Sequence, residues 1–481
     1  MKSMQKSLII RGMIFLHFAV MAALFFGFWN CFYRQLLHSE VLWRNDLVFS
    51  GIYTFLLFLF SRVYNAYKVG LLRVGELVFG HTLANLLSLG ITYVLACAIA
   101  HRIINPLAGF GLAAVQLVLT FGWVWLANQL YFKLNKPKRT VVIYRSESDL
   151  RKLEEIRNFD RRWKIEKQVK WQEGNLHDIP WEDGLPGGTN LSDIHRLINI
   201  MKDYESVFVS GVNATLRNGI VKYCVESRKD CYFVPHTGDV IISGATHMKS
   251  FAVPIFRVRR SRPTPEYLFV KRAVDIVLSL VTIVVTCPLM LVTAIAIKQY
   301  DHGPALYRQV RLTKDGRPFE ILKFRSMKID AEKDGVARLA SENDDRITPV
   351  GKVIRAIRFD ELPQLFNILR GDMSIVGPRP ERPEIAAQYR QELPAFDLRL
   401  QVKAGLTGYA QVYGRYNTEP QDKLKMDLMY VNQASLLEDI KLMFATVQTI
   451  FQKESTHGIS DGQVTASKSE REISIGSSER A

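Results

Sequence analysis

The segment RFDELPQLFNILRGDMSIVGPRPERPE, residues 358–384, carries two adjacent carboxylates, Asp360 and Glu361. The apolar spacing that follows predicts a helix that begins at this pair, with Pro363 tolerated in its first turn. Backbone N–H groups at a helix N-terminus keep a carboxylate ionised, and an ionised carboxylate can attack phosphorus to form an acyl phosphate. A plain helix cap is the alternative interpretation of Asp360.

Such an attack brings one anion to another, so it requires positive charge nearby. Arg379 stands between Pro378 and Pro380, and a rigid backbone lowers the entropy cost of a bidentate clamp between arginine and phosphate. A stiff turn is the alternative. The other candidate phosphate-binding cations are Lys323 and Arg325 in LKFRSM, and Arg358.

Magnesium is the cofactor that this set predicts, because Mg²⁺ is commonly bound by one or two carboxylates together with substrate phosphates. Asp360 and Glu361 are its predicted protein ligands. A third carboxylate, Asp427 in KMDLMY, is a candidate to assist them, and a solvated helix position is its alternative. Residues 301–327 predict a hairpin that carries basic side chains toward the site. KAGLTGYAQV, residues 403–412, predicts a loop of small residues that allows close backbone approach to a ligand.

The chain has 481 residues and a formal net charge of +16, a balance that suits either nucleic acid or an anionic membrane surface. No zinc-finger spacing, recognition helix or stacking motif accompanies the charge, so nucleic acid is not a predicted partner. Long apolar runs crowd the first 132 residues and favour the membrane. The five cysteines form no CxxC pair, which argues against a zinc site or a disulfide framework.

Four apolar segments near the N-terminus are long enough, or nearly so, to cross a bilayer. Basic residues precede the first segment, separate the second from the third and follow the fourth. The positive-inside rule therefore places the N-terminus and everything after residue 133 in the cytoplasm. The segments are 7–29, 47–61, 77–100 and 104–132, and they make 1–135 a predicted four-helix transmembrane bundle.

Residues 136–262 are predicted to form a Rossmann-like cytoplasmic domain. Three short buried strands, TVVIYR, SVFVSG and CYFVP, alternate with helical patterns at 148–157, 191–203 and 214–228, which is typical of a parallel sheet. The first strand runs into a serine and a glutamate without the G-x-G-x-x-G fingerprint, so a spacer or regulatory module is favoured over a dinucleotide site.

The run 273–297 is again long enough to span a bilayer, but both of its flanks are basic and Pro288 interrupts it. A proline removes a helical hydrogen bond and kinks the helix. We therefore predict a re-entrant helix–break–helix over 263–298, with a full span as the alternative. Residues 299–453 are predicted to be a cytoplasmic α+β catalytic domain that ends in an amphipathic helical pattern. The polar tail 454–481 is predicted to be disordered.

Five blocks in this order resemble the bacterial sugar transferases, that is, the polyprenyl-phosphate hexose-1-phosphate transferases or monotopic phosphoglycosyl transferases. They are KRAVDIVLSL, GPALYRQVR, LKFRSM, DELPQLFNILRGDMSIVGPRP and GLTGYAQV. The resemblance covers roughly residues 264–453, and the four spans with the Rossmann-like module match the long form of that family. Ala404 and Tyr409 stand where members commonly have proline and tryptophan, a departure in a loop that leaves the carboxylate pair intact.

That resemblance implies a two-step transfer at the bacterial inner membrane. Asp360 would attack the sugar-linked phosphorus of a UDP-sugar and release UMP, and polyprenyl (undecaprenyl) phosphate would then take the phosphosugar. Glu361 would hold Mg²⁺ or orient the nucleophile, and Asp427 would assist it. The product would begin an exopolysaccharide, a capsule or an O-antigen, with glucose, galactose and their N-acetylated forms all open as the sugar. A homodimer through residues 330–351 is also implied.

Two other classes of function use the same residues differently. A membrane-tethered nucleotide sensor or scaffold would need the carboxylates only as helix caps. A spanning glycosyltransferase would work without a covalent intermediate. Loss of UMP release on Asp360→Asn separates the transferase from the scaffold, and a phosphosugar trapped on the protein separates it from the spanning enzyme.

Overall fold

Two units make up the computed structural model, residues 1–235 and 236–481. The predicted boundary at residue 262 is displaced toward the N-terminus, because the helix Thr237–Ser243 buries Val240 against Leu424 and Leu428 of the second unit. The predicted tail 454–481 and most of the predicted dimerisation segment 330–351 lie outside the described residues, so both remain predictions. The structure describes residues 2–33, 45–72, 74–150, 153, 161–173, 184–187, 191–248, 255–329, 331, 344, 346–414 and 418–450.

Four long apolar helices open the first unit and match the four predicted segments. Each is long and apolar enough to cross a membrane. Polar side chains from three of them form hydrogen bonds across the helices: Gln116 donates to the Tyr53 hydroxyl (2.8 Å), which donates to Asn85 Oδ1 (3.1 Å). The helices are α1 (Lys2–Phe28, continued by the π-helical turn Trp29–Tyr33), α2 (Asn45–Val63), α3 (Val74–Ala100) and α4 (Leu107–Leu134).

A parallel sheet follows, as predicted. The three predicted strands are joined in it by two that the sequence did not indicate, β2 and β3, and the strand order is β3-β2-β1-β4-β5. This is the order of the first five strands of a doubly wound dinucleotide-binding sheet. Every residue of β4 is buried, as expected for a parallel strand covered on both faces. The elements are β1 (Lys138–Tyr144), β2 (Trp163–Glu173), β3 (Gly184–Gly187), α5 (Leu191–Met201), β4 (Ser206–Ser210), α6 (Ala214–Glu226) and β5 (Asp230–Phe233).

Ligands of doubly wound sheets bind beyond the carboxyl ends of the strands where the strand order reverses, which here is between β1 and β4. Asp149 occupies this place. Its Oδ2 accepts a hydrogen bond from Ser146 Oγ (2.6 Å) and its Oδ1 accepts one from Ser210 Oγ (3.0 Å). Gly211, directly after β4, has a φ of +73° and approaches Asp149 so closely that a Cβ would collide with the carboxylate. A negative side chain at this position disfavours a nucleotide phosphate there.

In the described part of the second unit, one long apolar helix is combined with short helices and three two-stranded sheets. The pairs β6–β7 and β8–β9 are antiparallel and β10–β11 is parallel. The hairpin predicted within 301–327 is β8–β9, and the helical pattern predicted at the end of the domain is two helices. The elements are α7 (Thr237–Ser243), β6 (Thr246–Met248), β7 (Ile255–Arg257), α8 (Pro265–Asp301), β8 (Leu306–Leu312), β9 (Pro318–Phe324), α9 (Pro349–Ala356), α10 (Gln364–Arg370), β10 (Met373–Val376), α11 (Pro383–Glu392), β11 (Ala404–Thr407), α12 (Tyr409–Val412), α13 (Pro420–Gln433) and α14 (Leu436–Ile450).

Helix α8 runs without interruption through Pro288. The predicted break into two helices is therefore wrong at the level of secondary structure. A proline removes only its own N–H from the helical pattern, and the flanking turns keep their hydrogen bonds.

Both ends of α8 pack on the rest of the second unit. Near its start, Lys271 Nζ lies 2.8 Å from Asp439 Oδ2. Near its end, Ile297 packs with Phe324 and Ile354 in a buried apolar cluster. The two ends of this membrane-length helix are thus tied to one polypeptide unit.

Candidate active site

The adjacent carboxylates lie in a 3₁₀ turn, Phe359–Glu361, and not at a helix N-terminus. Helix α10 begins later, at Gln364, directly after Pro363. The helix start predicted at Asp360 is therefore wrong by four residues. Pro363 has no N–H to place in a preceding turn, so it marks the entry to the helix instead of lying inside it. Neither carboxylate caps a helix.

Glu361 is a largely buried carboxylate, 12% exposed, that two cations hold in place. Lys323 Nζ, on β9, donates to Glu361 Oε1 at 3.1 Å, and Arg379 Nη2, after β10, donates to the same oxygen at 2.9 Å. Burial opposes ionisation, but Lys323, Arg379 and Arg358 together outweigh it and hold the pKa of Glu361 below its ordinary value. The ionised form is therefore more strongly favoured for Glu361 than for a carboxyl in water.

Asp360 has a different environment. No group within the described residues donates a hydrogen bond to its carboxylate. Burial and the neighbouring charge of Glu361 raise the pKa of Asp360, against the opposing effect of Lys323, Arg355 and Arg379. A raised pKa makes the carboxylate oxygen more basic, and cations at a distance keep its ionised form accessible. Among the described residues, the carboxylate of Asp360 thus accepts no hydrogen bond, whereas that of its neighbour Glu361 accepts two.

The Gly-Pro-Arg-Pro segment is clamped onto β11 by its own backbone. Gly377 N donates to Thr407 O at 2.8 Å, and Gly405 N donates to Pro378 O at 2.9 Å. Gly377 and Gly405 pass so close to each other that neither has room for a Cβ. On the other side, Arg311 Nη1 donates to Pro380 O at 3.3 Å. The rigidity predicted from the two prolines is therefore reinforced by hydrogen bonds on both sides of Arg379.

Asp427, the third predicted carboxylate, is only 1% exposed, so it is not a solvated helix residue. Its Oδ2 lies 2.7 Å from Arg399 Nη2. Burial raises the pKa of Asp427 to about 6, against the lowering effect of Arg399. The structure brings Asp427 to Arg399.

Two of the predicted phosphate ligands, Arg325 and Arg358, differ in their surroundings. Arg325 is buried: its Nη1 donates to Asp301 Oδ2 at 2.5 Å and its Nε donates to Pro304 O at 2.8 Å. That guanidinium is committed to joining the end of α8 to β9, so its predicted phosphate role has no support in this geometry. Arg358 is half-buried next to the turn, and burial lowers its pKa while Glu361 raises it. It is the left-handed residue (φ 56°) that leads into the carboxylates.

Residues 266–453 match the family model of bacterial sugar transferases. Over 192 residues, 39% of this chain, the sequence is 41% identical to a UDP-glucose:undecaprenyl-phosphate glucose-1-phosphate transferase of Caulobacter vibrioides, and the match spans 72% of that relative. The chain belongs to the bacterial sugar transferase family. All the candidate site residues of this sugar transferase lie within the matched segment.

Two further relatives are longer than the Caulobacter protein, because a match of similar length covers a smaller share of each. The sugar transferase is 44% identical over 191 residues to a UDP-N-acetylgalactosamine-undecaprenyl-phosphate N-acetylgalactosaminephosphotransferase of Aeromonas hydrophila, a match of 39% of this chain and 45% of the relative. It is 43% identical over 182 residues to a UDP-glucose:undecaprenyl-phosphate glucose-1-phosphate transferase of Escherichia coli, a match of 37% of this chain and 39% of the relative. The aligned part of the chain thus spans less than half the length of both relatives.

Sequence reasoning missed several charged residues that surround the Gly-Pro-Arg-Pro segment of the sugar transferase. Lys423, one helical turn before Asp427, is half-buried, and burial lowers its pKa. Lys423, Arg399 and Arg311 outweigh the effect of burial on Glu381 and hold the pKa of that carboxyl below its ordinary value. Two signals were available: Glu381 directly follows the second proline, and a spacing of four places Lys423 and Asp427 on one helix face.

The carboxylate pair of this sugar transferase can be compared with the needs of Mg²⁺. Within the described ranges, no three His, Cys, Asp or Glu side chains form a metal-binding group. Mg²⁺ does not require such a cage, because it is commonly held by one or two carboxylates with substrate phosphates and water. The carboxylate of Asp360 accepts no hydrogen bond from the described residues, so it is available as a ligand. The pair fits a magnesium ion shared with a diphosphate.

Proposed function

We propose that this protein transfers a hexose 1-phosphate from a UDP-sugar to polyprenyl (undecaprenyl) phosphate through an aspartyl-phosphosugar intermediate. The observation that carries the proposal is the contrast within the carboxylate pair. Glu361 is fixed by Lys323 and Arg379, while Asp360 beside it accepts no hydrogen bond within the described residues. The names of the relatives point to the same class of acceptor and product.

In the first step, a carboxylate oxygen of Asp360 forms a bond to the sugar-linked phosphorus of the UDP-sugar. The bond from that phosphorus to the bridging oxygen breaks, and UMP leaves with the electron pair. In the second step, a phosphate oxygen of the lipid attacks the same phosphorus, and the bond to Asp360 breaks. The product is a polyprenyl-diphosphate sugar, and the carboxylate of Asp360 is regenerated.

The remaining residues handle the charge of these steps. Arg379 and Lys323 stand beside the pair and can bind the phosphoryl oxygens when they exchange contacts with Glu361 for contacts with the donor. Arg358 adds a third cation at the start of the turn. Asp360 and Glu361 would hold Mg²⁺, which would supply neutralisation of the diphosphate charge.

We further propose that α8 is re-entrant, so that the lipid phosphate and the soluble nucleotide reach one site on the cytoplasmic face of the inner membrane. Both of its ends contact the second unit, while Val284 and Val285 near its middle are each 72% exposed. Exposed apolar side chains at the middle, with both ends held by one unit, suit a continuous helix that bends at Pro288, enters the hydrocarbon and leaves it on the same face.

The experiment is UMP release by the full-length protein in nanodiscs, with a panel of UDP-sugars, undecaprenyl phosphate and Mg²⁺. One sugar of the panel should support turnover, and Asp360→Asn should abolish it. Asp397→Asn, which alters a carboxylate that is 49% exposed, is the matched control and should retain the wild-type rate. Donor labelled at the sugar-linked phosphorus should label the wild-type protein when lipid is withheld. Turnover by Asp360→Asn at the wild-type rate would refute the proposal.

A further inference from the structure

Arg399 is a buried arginine, 2% exposed, that joins three parts of the second unit. Its Nη2 donates to the carbonyl of Arg379 at 2.7 Å. The same nitrogen lies 2.7 Å from Oδ2 of Asp427 on α13, and Nη1 lies 3.7 Å from Glu381 Oε1. One guanidinium therefore ties α13 to the segment that carries the phosphate clamp.

The two contacts of Nη2 differ in kind. The contact with the Arg379 carbonyl has the geometry of a hydrogen bond. The contact with Asp427 does not, because neither oxygen of Asp427 accepts a hydrogen bond within the described residues. Asp427 thus supplies the opposite charge that keeps a buried guanidinium in place, and Arg399 uses its hydrogen bond to hold the backbone of Arg379.

Stability alone is a poor explanation of this arrangement. A buried ion pair is weak evidence for stability, because the desolvation of two charges offsets their attraction. Nε of Arg399 also has no hydrogen-bond partner in the described part of the chain. A charged group that is buried and incompletely satisfied calls for a specific reason. Among the described residues, the carbonyl to which its Nη2 donates belongs to Arg379.

We propose that Arg399, held by Asp427, is a positioning residue that fixes the backbone at Arg379 and so aims the Arg379 guanidinium at Glu361 and at the donor phosphate. The proposal rests on the proposed function, in which Arg379 binds phosphate. It also assigns Asp427 a role through Arg399, without contact to the substrate.

A double-mutant cycle on the full-length protein in nanodiscs tests this. Arg399→Lys keeps a positive charge near Asp427 but replaces the planar fork that contacts both partners. It should lower kcat/KM for UMP release about 10- to 100-fold, the loss expected for a charge-assisted hydrogen bond. In an Arg379→Gln background, the same substitution should cost less than about threefold, because the guanidinium that it positions is gone. Arg390→Lys is the matched control: Arg390 pairs with Asp397 at 2.8 Å on the surface and should tolerate the change.

Three results would overturn the proposal: a wild-type kcat/KM in Arg399→Lys, an equal loss in both backgrounds, or losses that follow the thermal midpoint instead of the Arg379 background. Binding of UDP, measured by calorimetry, separates this proposal from the proposed function. If no UDP-sugar supports turnover, the transferase reaction fails, but Arg399→Lys should still weaken UDP binding about tenfold in wild type and not in Arg379→Gln. If Arg399→Lys does not fold, Asp427→Asn completes the same cycle.

Discussion

Asn367 on α10 hydrogen-bonds the backbone on both sides of Ile321 in β9. Its Oδ1 accepts from Leu322 N at 2.9 Å, and its Nδ2 donates to Glu320 O at 2.7 Å. The side-chain amide thus takes the place of a neighbouring strand, one residue before Lys323. It is fully buried. This pair of hydrogen bonds fixes the helix that follows the carboxylate turn to the strand that carries one of its cations.

Replacement of Asn367 by alanine should therefore destabilise the second unit. The buried Leu322 N–H and the partly buried Glu320 carbonyl would lose their partners. A buried unsatisfied group costs about 1–3 kcal/mol and a group that water can reach costs less, so a loss of about 2–4 kcal/mol is expected. Chemical denaturation of the purified protein in detergent measures it. Gln388→Ala, at an exposed position of α11, should change the unfolding free energy little. Equal stability of Asn367→Ala and Gln388→Ala would contradict the prediction.

The pH dependence of the first half-reaction should reveal the coupling between the two carboxylates. Burial and the charge of Glu361 raise the pKa of Asp360, and the reaction needs Asp360 ionised. Glu361→Gln removes that negative charge and frees Lys323 and Arg379, which both lower the pKa of Asp360. The acid limb of UMP release without lipid should therefore move to lower pH, although its plateau should fall.

The measurement is the burst of UMP in single-turnover experiments across a pH series. Glu384→Gln, at an exposed carboxylate on α11, is the control and should keep the wild-type limb. A limb that stays in place or moves to higher pH in Glu361→Gln would show that Glu361 does not act on the ionisation of Asp360.

A second pH effect should come from Asp427, whose pKa burial raises to about 6. The charged groups that act on it are Arg399, Glu381 and Lys423. As the pH falls through about 6, Asp427 takes up a proton, and Arg399 loses the charge opposite it. The value of kcat/KM should then fall below pH 6. The kcat/KM of Asp427→Asn should be low at every pH and should not fall further below pH 6. The kcat/KM of Asp422→Asn, which alters a carboxylate on the same helix, should still fall there as in the wild type. A wild-type limb in Asp427→Asn would rule out the assignment.

Local patterns explain what the sequence could predict. The apolar helices, the parallel sheet and the β8–β9 hairpin depend on the periodicity of side chains within single segments, and each is present. The position of the carboxylate turn depends on one residue: Pro363 delays the helix and leaves Asp360 in a 3₁₀ turn. The residue at which the helix begins depends on the hydrogen bonds of neighbouring backbone groups. The apolar spacing alone does not predict it.

The arginines show where sequence reasoning reaches its limit. Arg325 and Arg399 are both buried, and each is paired with a carboxylate remote in sequence, Asp301 and Asp427 respectively. A basic residue in a motif can be fully engaged by a remote carboxylate and a backbone carbonyl, as Arg325 is by Asp301 and Pro304. That pairing is a product of tertiary structure, so Arg325 was predicted as a phosphate ligand and Arg399 was overlooked.

The topology of α8 gives the last prediction. If α8 crossed the membrane, its two ends would lie on opposite sides, yet Lys271 near its start and Ile297 near its end both contact the second unit. In a protein without its native cysteines, single cysteines at the exposed positions Glu266 and Tyr300 should therefore both resist an impermeant maleimide added outside spheroplasts. Both should react after permeabilisation. A cysteine at Ile103, which is 90% exposed between α3 and α4, should react from outside in the predicted topology and serves as the positive control. Labelling of one end of α8 alone from outside would convert the re-entrant helix into a span, and a soluble domain on one side could then not hold both ends.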